Sequence, residues 1–142
     1  METISYHQFT NECCKDVLAL WEKTEGVCLH DNGEDSIEGI TFYLEKNSGL
    51  SYIAKCNDKI IGAVLCGSDG RRGFIHHLAV DENFRNKGIG KALMQLSCEK
   101  LKQNNIRKCL LFVLKNNEKA ISYYKHLNWQ EESIVEVYGS VL

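Results

Sequence analysis

The stretch HLAVDENFRNKGIGKAL, residues 77–93, decides the fold and carries the most specific chemical signal of the chain. Its pattern predicts a strand that ends at Val80, a short loop, and a helix opened by residues 85–90. The first N–H groups of a helix have no partner inside the helix, and the helix dipole favours an anion there. Gly88 and Gly90 leave out the Cβ atoms that would hold a ligand away from these amides.

Basic residues in the same stretch strengthen the case for a polyphosphate ligand: Arg85, Lys87 and Lys91. The two common nucleotide loops do not fit. A Walker A loop fails because position 85 is Arg and Ala92 follows Lys91. A Rossmann loop needs a third Gly or Ala, where this chain has Leu93, and an acidic residue about 20 positions later, where residues 110–112 are apolar. The remaining alternative is a glycine turn with solvated basic residues.

The second half of the chain continues with elements on both sides of this loop. Apolar residues at helical spacing predict a helix from about 88 to 103 and another around Ala120 to Leu127. Residues 109–114 form a continuous apolar run, which predicts a central strand covered on both faces. Alternation over residues 133–138 predicts a last strand.

The first half reads as a strand, two helices and a three-stranded antiparallel meander. The strand covers Ile4 to Gln8, a helix follows around residues 17–21, and residues 25–35 form a loop. Ser36 caps the second helix. Three further strands, joined by tight turns, are predicted at residues 51–56, 60–67 and 74–80. The order β-α-α-β-β-β-α-β-α-β predicts an α+β or mixed α/β domain around one sheet.

Length and composition limit the function classes. The chain has 142 residues and no proline, and no linker divides it, which predicts a single domain over residues 1–142. With 44% hydrophobic and 25% charged residues it is globular, and a net charge of -2 argues against nucleic-acid or membrane partners. The polar N-terminus has no signal-peptide pattern, so we expect a cytoplasmic protein.

The seven cysteines do not have the spacing of a metal site. Their number is odd, no Cys-x-x-Cys occurs, and the only close pair, Cys13 and Cys14, is adjacent. We therefore expect buried, reduced thiols and no bound metal.

Two spaced motifs carry a family resemblance. Arg85-x-x-Gly88-x-Gly90, after the strand Leu78-Ala79-Val80, resembles the pyrophosphate-binding motif of the GCN5-related N-acetyltransferase (GNAT) family. Asn117-x-x-Ala120-x-x-x-Tyr124-x-x-Leu127-Asn128-Trp129 resembles the family's N-x-x-A-x-x-x-Y-x-x-x-G-F segment. Asn128-Trp129 replaces the usual Gly-Phe, which we expect to alter a turn and to keep an aromatic anchor. The resemblance implies a mostly antiparallel twisted sheet of about six or seven strands with about four flanking helices.

The resemblance also implies an activity, the transfer of an acetyl group from acetyl-CoA to an amine. In that case Tyr124 protonates the departing thiolate, and an amide near Leu78 polarises the thioester carbonyl. The strand edge and the basic loop would hold the coenzyme, together with residues of the second motif: Leu78, Ala79, Val80, Arg85, Asn86, Lys87, Gly88, Ile89, Gly90, Lys91, Asn117 and Tyr124.

The general base is less defined by the sequence. His76 is the first candidate because it shares strand parity with Leu78, and His77 is the second. Neighbouring strand residues point to opposite faces, so the two histidines should not serve one site. A water-relayed base, or none, is a third possibility.

The acceptor is expected to be a small-molecule or peptide amine. It would be selected by residues 21–42, whose acidic residues could attract a cation, and by the last hairpin. Trp21 in this region is expected in the core rather than in a pocket wall. A solvated acidic loop is the alternative, and an exposed last strand would allow a homodimer.

Two other functions fit the same residues. One is a CoA-binding sensor or interaction module without turnover. The other is a phosphate-binding protein unrelated to CoA. The absence of a cysteine at a nucleophile position favours direct transfer in a ternary complex over an acyl-enzyme.

Overall fold

The strands of the sheet follow one another in space in the same order as in the sequence. A computed structural model describes residues 2–142, and the chain divides into two compact units, Met1–Phe112 and Val113–Leu142. The first unit holds a five-stranded sheet of order β1-β2-β3-β4-β5, antiparallel except for the β4–β5 pair. Its strands are β1 Ile4–Gln8, β2 Tyr52–Cys56, β3 Lys59–Ser68, β4 Gly73–Val80 and β5 Cys109–Leu111.

Three helices accompany this sheet, at α1 Cys14–Glu22, α2 Ile37–Lys46 and α3 Ile89–Gln103. The second unit contains α4, Glu118–His126. Short 3-10 turns precede α1 and α3, at Asn11–Cys13 and Glu82–Phe84. The mixed α+β class and the four α-helices predicted from the sequence are confirmed. No helix within residues 2–142 is long and apolar enough to cross a membrane.

Local chemistry explains the meander. Asn57 and Asp58 both have positive φ, 51° and 67°, which matches the tight turn that joins strands with right-handed twist. Gly70, with φ 91°, closes the β3–β4 turn. Ser36 accepts a hydrogen bond from the Gly39 amide at 3.0 Å, as predicted for an N-cap.

The core lies on both faces of the sheet. On one face, α1 and α2 pack their buried residues against β3 and β4, in a cluster that includes Trp21, Ile40, Ala63, Leu65 and Ala79. On the other face, α3 approaches the strands so closely that a Cβ on Gly73 would lie 2.5 Å from a methyl group of Leu101. Gly62 meets α3 while its neighbour Ala63 meets α1, as strand alternation requires.

Two strand predictions were wrong. The apolar run 109–114 forms only the three-residue β5, which lies at the end of the strand order, and Phe112 and Leu114 are exposed. Hydrophobicity alone does not tell a covered central strand from a short edge strand. Residues 133–138 form no strand, and Ile134 and Tyr138 are 96% and 91% exposed. A segment with alternating hydrophobicity forms a strand only where a neighbouring strand is available for pairing. Within residues 2–142 the sheet therefore has five strands rather than the expected six or seven.

Candidate functional site

The loop between β4 and α3 is held in place by a buried carboxylate. Asp81 follows β4 directly and is 4% exposed. Its side chain accepts a hydrogen bond from the Asn83 amide at 3.0 Å and one from Lys23 at 3.1 Å. The Asn83 amide, followed by Lys23, holds the pKa of Asp81 below its ordinary value. The ionised carboxylate therefore fixes the 3-10 turn that leads into α3.

The start of α3 has the geometry of an open anion site. Gly88, with φ 77°, is the N-cap residue, and no side chain caps the helix. A Cβ built on Gly88 would meet no atom within 4 Å, whereas Gly90 is buried. The first turn contains no acidic residue. Because the first amides of a helix lack internal acceptors, this end is free to bind an anion.

The three predicted cations precede α3 or lie in its first turn, and they differ in their bonding. Arg85 donates from Nε to the Val80 carbonyl at 3.3 Å. Lys87 pairs with Glu2 at 2.9 Å. Lys91 lies in the first turn of α3 and is exposed. All three side chains are at the surface, so the loop presents positive charge next to the uncapped amides.

Strand β4 has one unpaired stretch of edge. The ladder to β5 stops at the pair Ile75 and Leu111. Beyond it, residues 76–80 of β4 have no strand partner on that side within the described chain. Such an edge can pair with an extended ligand through main-chain hydrogen bonds. The chain continues from this edge through the 3-10 turn Glu82–Phe84 to the open start of α3.

A β-bulge interrupts β4 where this free edge begins. Val64 pairs with Leu78, but Cys66 pairs with Ile75, so His76 and His77 together stand opposite a single residue of β3. As a result both rings face the helices α1 and α2. His77 packs against Trp21 with ring centroids 4.9 Å apart, and His76 against Tyr43 at 5.4 Å. The prediction that the two histidines point to opposite faces is wrong because the bulge breaks the alternation.

The two histidines have different surroundings. His77 Nε2 lies 2.9 Å from Asp35 Oδ1, and the two side chains are 12% and 6% exposed. The second oxygen of Asp35 accepts a hydrogen bond from the His30 amide at 2.7 Å. His76 is exposed and contacts the rings of Tyr43 and Phe74. Partial burial, followed by the charge of His77, lowers the pKa of His76.

The Asp35–His77 pair was missed by sequence reasoning, which placed Asp35 only within a group of acidic loop residues. The residues are 42 positions apart, and no local pattern connects them. Trp21 is fully buried in the core, as predicted, and its indole N–H has no hydrogen-bond partner within residues 2–142. It therefore supports His77 by ring contact alone.

The second unit carries the other predicted motif. Asn117 caps α4 by accepting a hydrogen bond from the Ala120 amide at 3.1 Å. Tyr124 packs against Tyr123 and Trp129, and burial raises the pKa of its phenol to about 12. Asn128 adopts a left-handed conformation, with φ 69°, at the end of α4. The replacement of the usual glycine therefore preserves the helix-ending turn instead of altering it, because asparagine tolerates this conformation.

The cysteines differ in burial and form no disulfide within the described chain. Cys14, Cys56 and Cys66 are buried, as expected, whereas Cys28 is exposed, contrary to the expectation of buried thiols. All seven are free thiols. Among residues 2–142, no group of three or more His, Cys, Asp or Glu side chains is placed to hold a metal ion.

Comparison with known proteins identifies the family. Residues 13–129 match the model of the Acetyltransferase (GNAT) family. The chain belongs to the GNAT family. An acetyltransferase of Pectobacterium atrosepticum is 30% identical over 122 residues, covering 86% of this chain and 84% of that protein. An acetyltransferase of Sodalis glossinidius is 28% identical over 134 residues, covering 94% and 92%.

Solved GNAT structures share the fold. The PaiA N-acetyltransferase of Thermoplasma acidophilum, solved with coenzyme A, aligns with a TM-score of 0.75 at 17% identity, over 88% of both chains. The aminoglycoside N-acetyltransferase AAC(6')-Iy, solved with CoA, aligns with a TM-score of 0.79 at 15% identity, over 99% of this chain and 96% of that one. At these identities the likeness extends to the fold alone.

Proposed function

We propose that this GNAT protein is an N-acetyltransferase that moves an acetyl group from acetyl-CoA directly to a primary amine in a ternary complex, and that residues 1–142 act as one domain. The observation that carries the proposal is the uncapped start of α3 at Gly88, next to a strand edge left free from residue 76 to residue 80. A diphosphate fits the first feature and an extended amide-containing arm fits the second.

In the proposed complex, main-chain groups do most of the coenzyme binding. The amides from Arg85 through Lys91, including those of Asn86, Lys87, Gly88, Ile89 and Gly90, hold the diphosphate. The edge formed by Leu78, Ala79 and Val80 pairs with the pantetheine arm, and Asn117 contributes a contact from the second motif. Main-chain recognition is consistent with a loop whose cations are exposed and partly engaged elsewhere.

The proposed chemistry needs a donor for the carbonyl oxygen, an acid for the sulfur and a base for the amine. An amide near Leu78 stabilises the negative charge that develops on the carbonyl oxygen. Tyr124 is the proposed acid, and its pKa of about 12 keeps the phenol protonated at neutral pH. The base is one of the two histidines of the bulge, of which the sequence favours His76. No cysteine lies within residues 76–91, which supports direct transfer without an acyl-enzyme.

A cationic small-molecule amine is the proposed acceptor. AAC(6')-Iy has been solved with a bisubstrate analogue that joins CoA to acetylneamine, and a soil-metagenome aminoglycoside acetyltransferase has been solved with sisomicin. In this chain, Glu25, Asp31 and Glu34 are exposed in the loop between α1 and α2 and could attract a cation. Asp35 is withdrawn from that exposed group by its bond to His77.

The test is turnover of acetyl-CoA with a panel of amines, followed by release of the free thiol. The panel contains sisomicin, spermidine, tyramine and a lysine peptide, so that it spans the open acceptor classes. Thiol release that depends on one of these amines supports the proposal. Binding of CoA without release for any amine favours a non-catalytic CoA module, and competition by pyrophosphate but not by CoA favours an unrelated phosphate-binding protein.

A further inference from the structure

We propose that His77, oriented by Asp35, takes the proton from the acceptor amine, so that the Asp35–His77 pair rather than His76 supplies the general base. This inference rests on the proposed acetyl transfer and deepens it. It is carried by the hydrogen bond of 2.9 Å between His77 Nε2 and Asp35 Oδ1 at a bulge where β4 leaves its partner strand.

Asp35 is built to hold an imidazole in one orientation. Its carboxylate is nearly inaccessible, and its other oxygen is fixed by the His30 amide at 2.7 Å. Trp21 supports the ring of His77 from the side at 4.9 Å. With Nε2–H donating to the carboxylate, the neutral ring presents an unprotonated Nδ1. When Nδ1 accepts a proton, the adjacent carboxylate stabilises the charge that appears on the ring.

His76 lacks these features. Its contacts within the described chain are to the aromatic rings of Tyr43 and Phe74, and no carboxylate lies within hydrogen-bond distance of it. Burial, followed by the charge of His77, lowers the pKa of His76, while the charges of Glu34 and Asp35 act in the opposite direction. A proton on His76 therefore has no directly bonded carboxylate to stabilise it. The sequence favours His76 through its strand parity with Leu78, whereas the bond to Asp35 favours His77 as the base.

The position of His77 suits the reaction. It lies one residue before Leu78, on the stretch of β4 that has no strand partner on its outer side. Its side chain retains 12% of its surface exposed, so part of the ring is accessible while Asp35 is shielded. Asp35 ends the loop between α1 and α2, so the same bond fixes the acceptor-side loop to the strand.

The proton and electron changes balance for a neutral amine. The amine nitrogen forms a bond to the thioester carbonyl carbon, and the bond between carbon and sulfur breaks with its electron pair on sulfur. His77 Nδ1 takes one proton from the nitrogen, and Tyr124 gives one proton to the sulfur. His77 then releases its proton to solvent, the acid regains one from solvent, and an amine that begins as an ammonium ion releases one more.

The first test reads the His77 ring directly and needs no acceptor. Nitrogen-15 NMR of the ring, at the pH of the turnover assay, should show a neutral His77 with its proton on Nε2. His77→Gln assigns the signal. A proton on Nδ1, or a ring that stays doubly protonated at that pH, would overturn the proposal because neither form offers Nδ1 as an acceptor.

The second test compares kinetics of matched variants with the panel amine that gives thiol release. His77→Gln should lower kcat/KM for the amine about a hundredfold or more and remove the acid limb of its pH profile. Asp35→Asn should shift the pH at which that limb lies and should lower kcat/KM less than His77→Gln does. His7→Gln, an exposed histidine on β1, controls for loss of a histidine elsewhere and should behave as the wild type.

His76→Gln decides between the two histidines. If it removes the acid limb while His77→Gln retains it, the base is His76 and the inference is wrong. Calorimetry with CoA separates this result from failure of the proposed function: every variant should bind CoA like the wild type. A wild type that neither binds CoA nor releases thiol refutes acetyl transfer itself, whatever the state of the His77 ring.

Discussion

Gly88→Ala offers a sharp test of the anion site, because the chain contains a matched control. Gly88 and Gly70 both have positive φ, 77° and 91°, and a Cβ on either would meet nothing within 4 Å. Alanine at either position therefore causes the same backbone strain and no steric clash within the protein. Gly70 lies in the β3–β4 turn and Gly88 at the start of α3.

The expected loss of stability follows from the left-handed backbone conformation of the two glycines. An alanine held in the left-handed region costs about 1–2 kcal/mol, which for a chain of this size corresponds to a decrease in Tm of about 3–6 °C. We expect this decrease in both variants. Only Gly88→Ala should weaken CoA binding, by about tenfold or more, which is about 1.4 kcal/mol, because its new methyl group projects into the space that the diphosphate would use.

The assay pairs thermal unfolding, followed by circular dichroism, with calorimetric titration of CoA below the Tm of each variant. Equal CoA affinity in wild type and Gly88→Ala would refute the placement of the diphosphate at this helix start. So would an equal loss of affinity in Gly70→Ala, because it would show that the effect comes from general destabilisation.

Substitutions at three further positions test the proposed acid, the loop carboxylate and the turn after α4. Tyr124→Phe should lower kcat about a hundredfold or more with CoA affinity unchanged; unchanged kcat in steady-state thiol release would remove Tyr124 from the chemistry. Asp81→Asn should reduce the free energy of unfolding measured in urea. Because the pKa of Asp81 is lowered in the folded protein, the stability that this carboxylate contributes is present above the unfolded pKa of about 3.9. That stability is lost as the pH falls through the lower folded pKa. A stability difference between wild type and Asp81→Asn that stays constant into acid pH would contradict this role of Asp81. Asn128→Ala should cost about 1–2 kcal/mol of stability and Asn128→Gly should not; equal urea midpoints for these two variants would contradict the role of the left-handed turn.

Much of the fold could be predicted because its signals are local. The turn at Asn57 and Asp58, the cap at Ser36 and the spacing of apolar residues in α3 each depend on a few neighbouring residues. The open helix start also follows from local sequence, since Gly88 both allows the left-handed turn and leaves the space above it empty. These elements are confirmed in the structure.

The features that could not be predicted depend on distant residues. The bulge at His76 and His77 is set by the register of β3 against β4, which strand periodicity does not contain. The bond between Asp35 and His77 joins a loop to a strand far along the chain. The length of β5 depends on where its partner strand diverges, and hydrophobicity carries no information on that point.

The most direct measurement of the central claim is the response of backbone amides to CoA, followed by nitrogen-15 NMR on the full chain. We expect the largest shifts in two places, the amides of residues 85–91 at the start of α3 and those of residues 76–80 along the free edge of β4. Saturating CoA that leaves both groups of amides unshifted, or that shifts only amides elsewhere in the chain, would contradict the account.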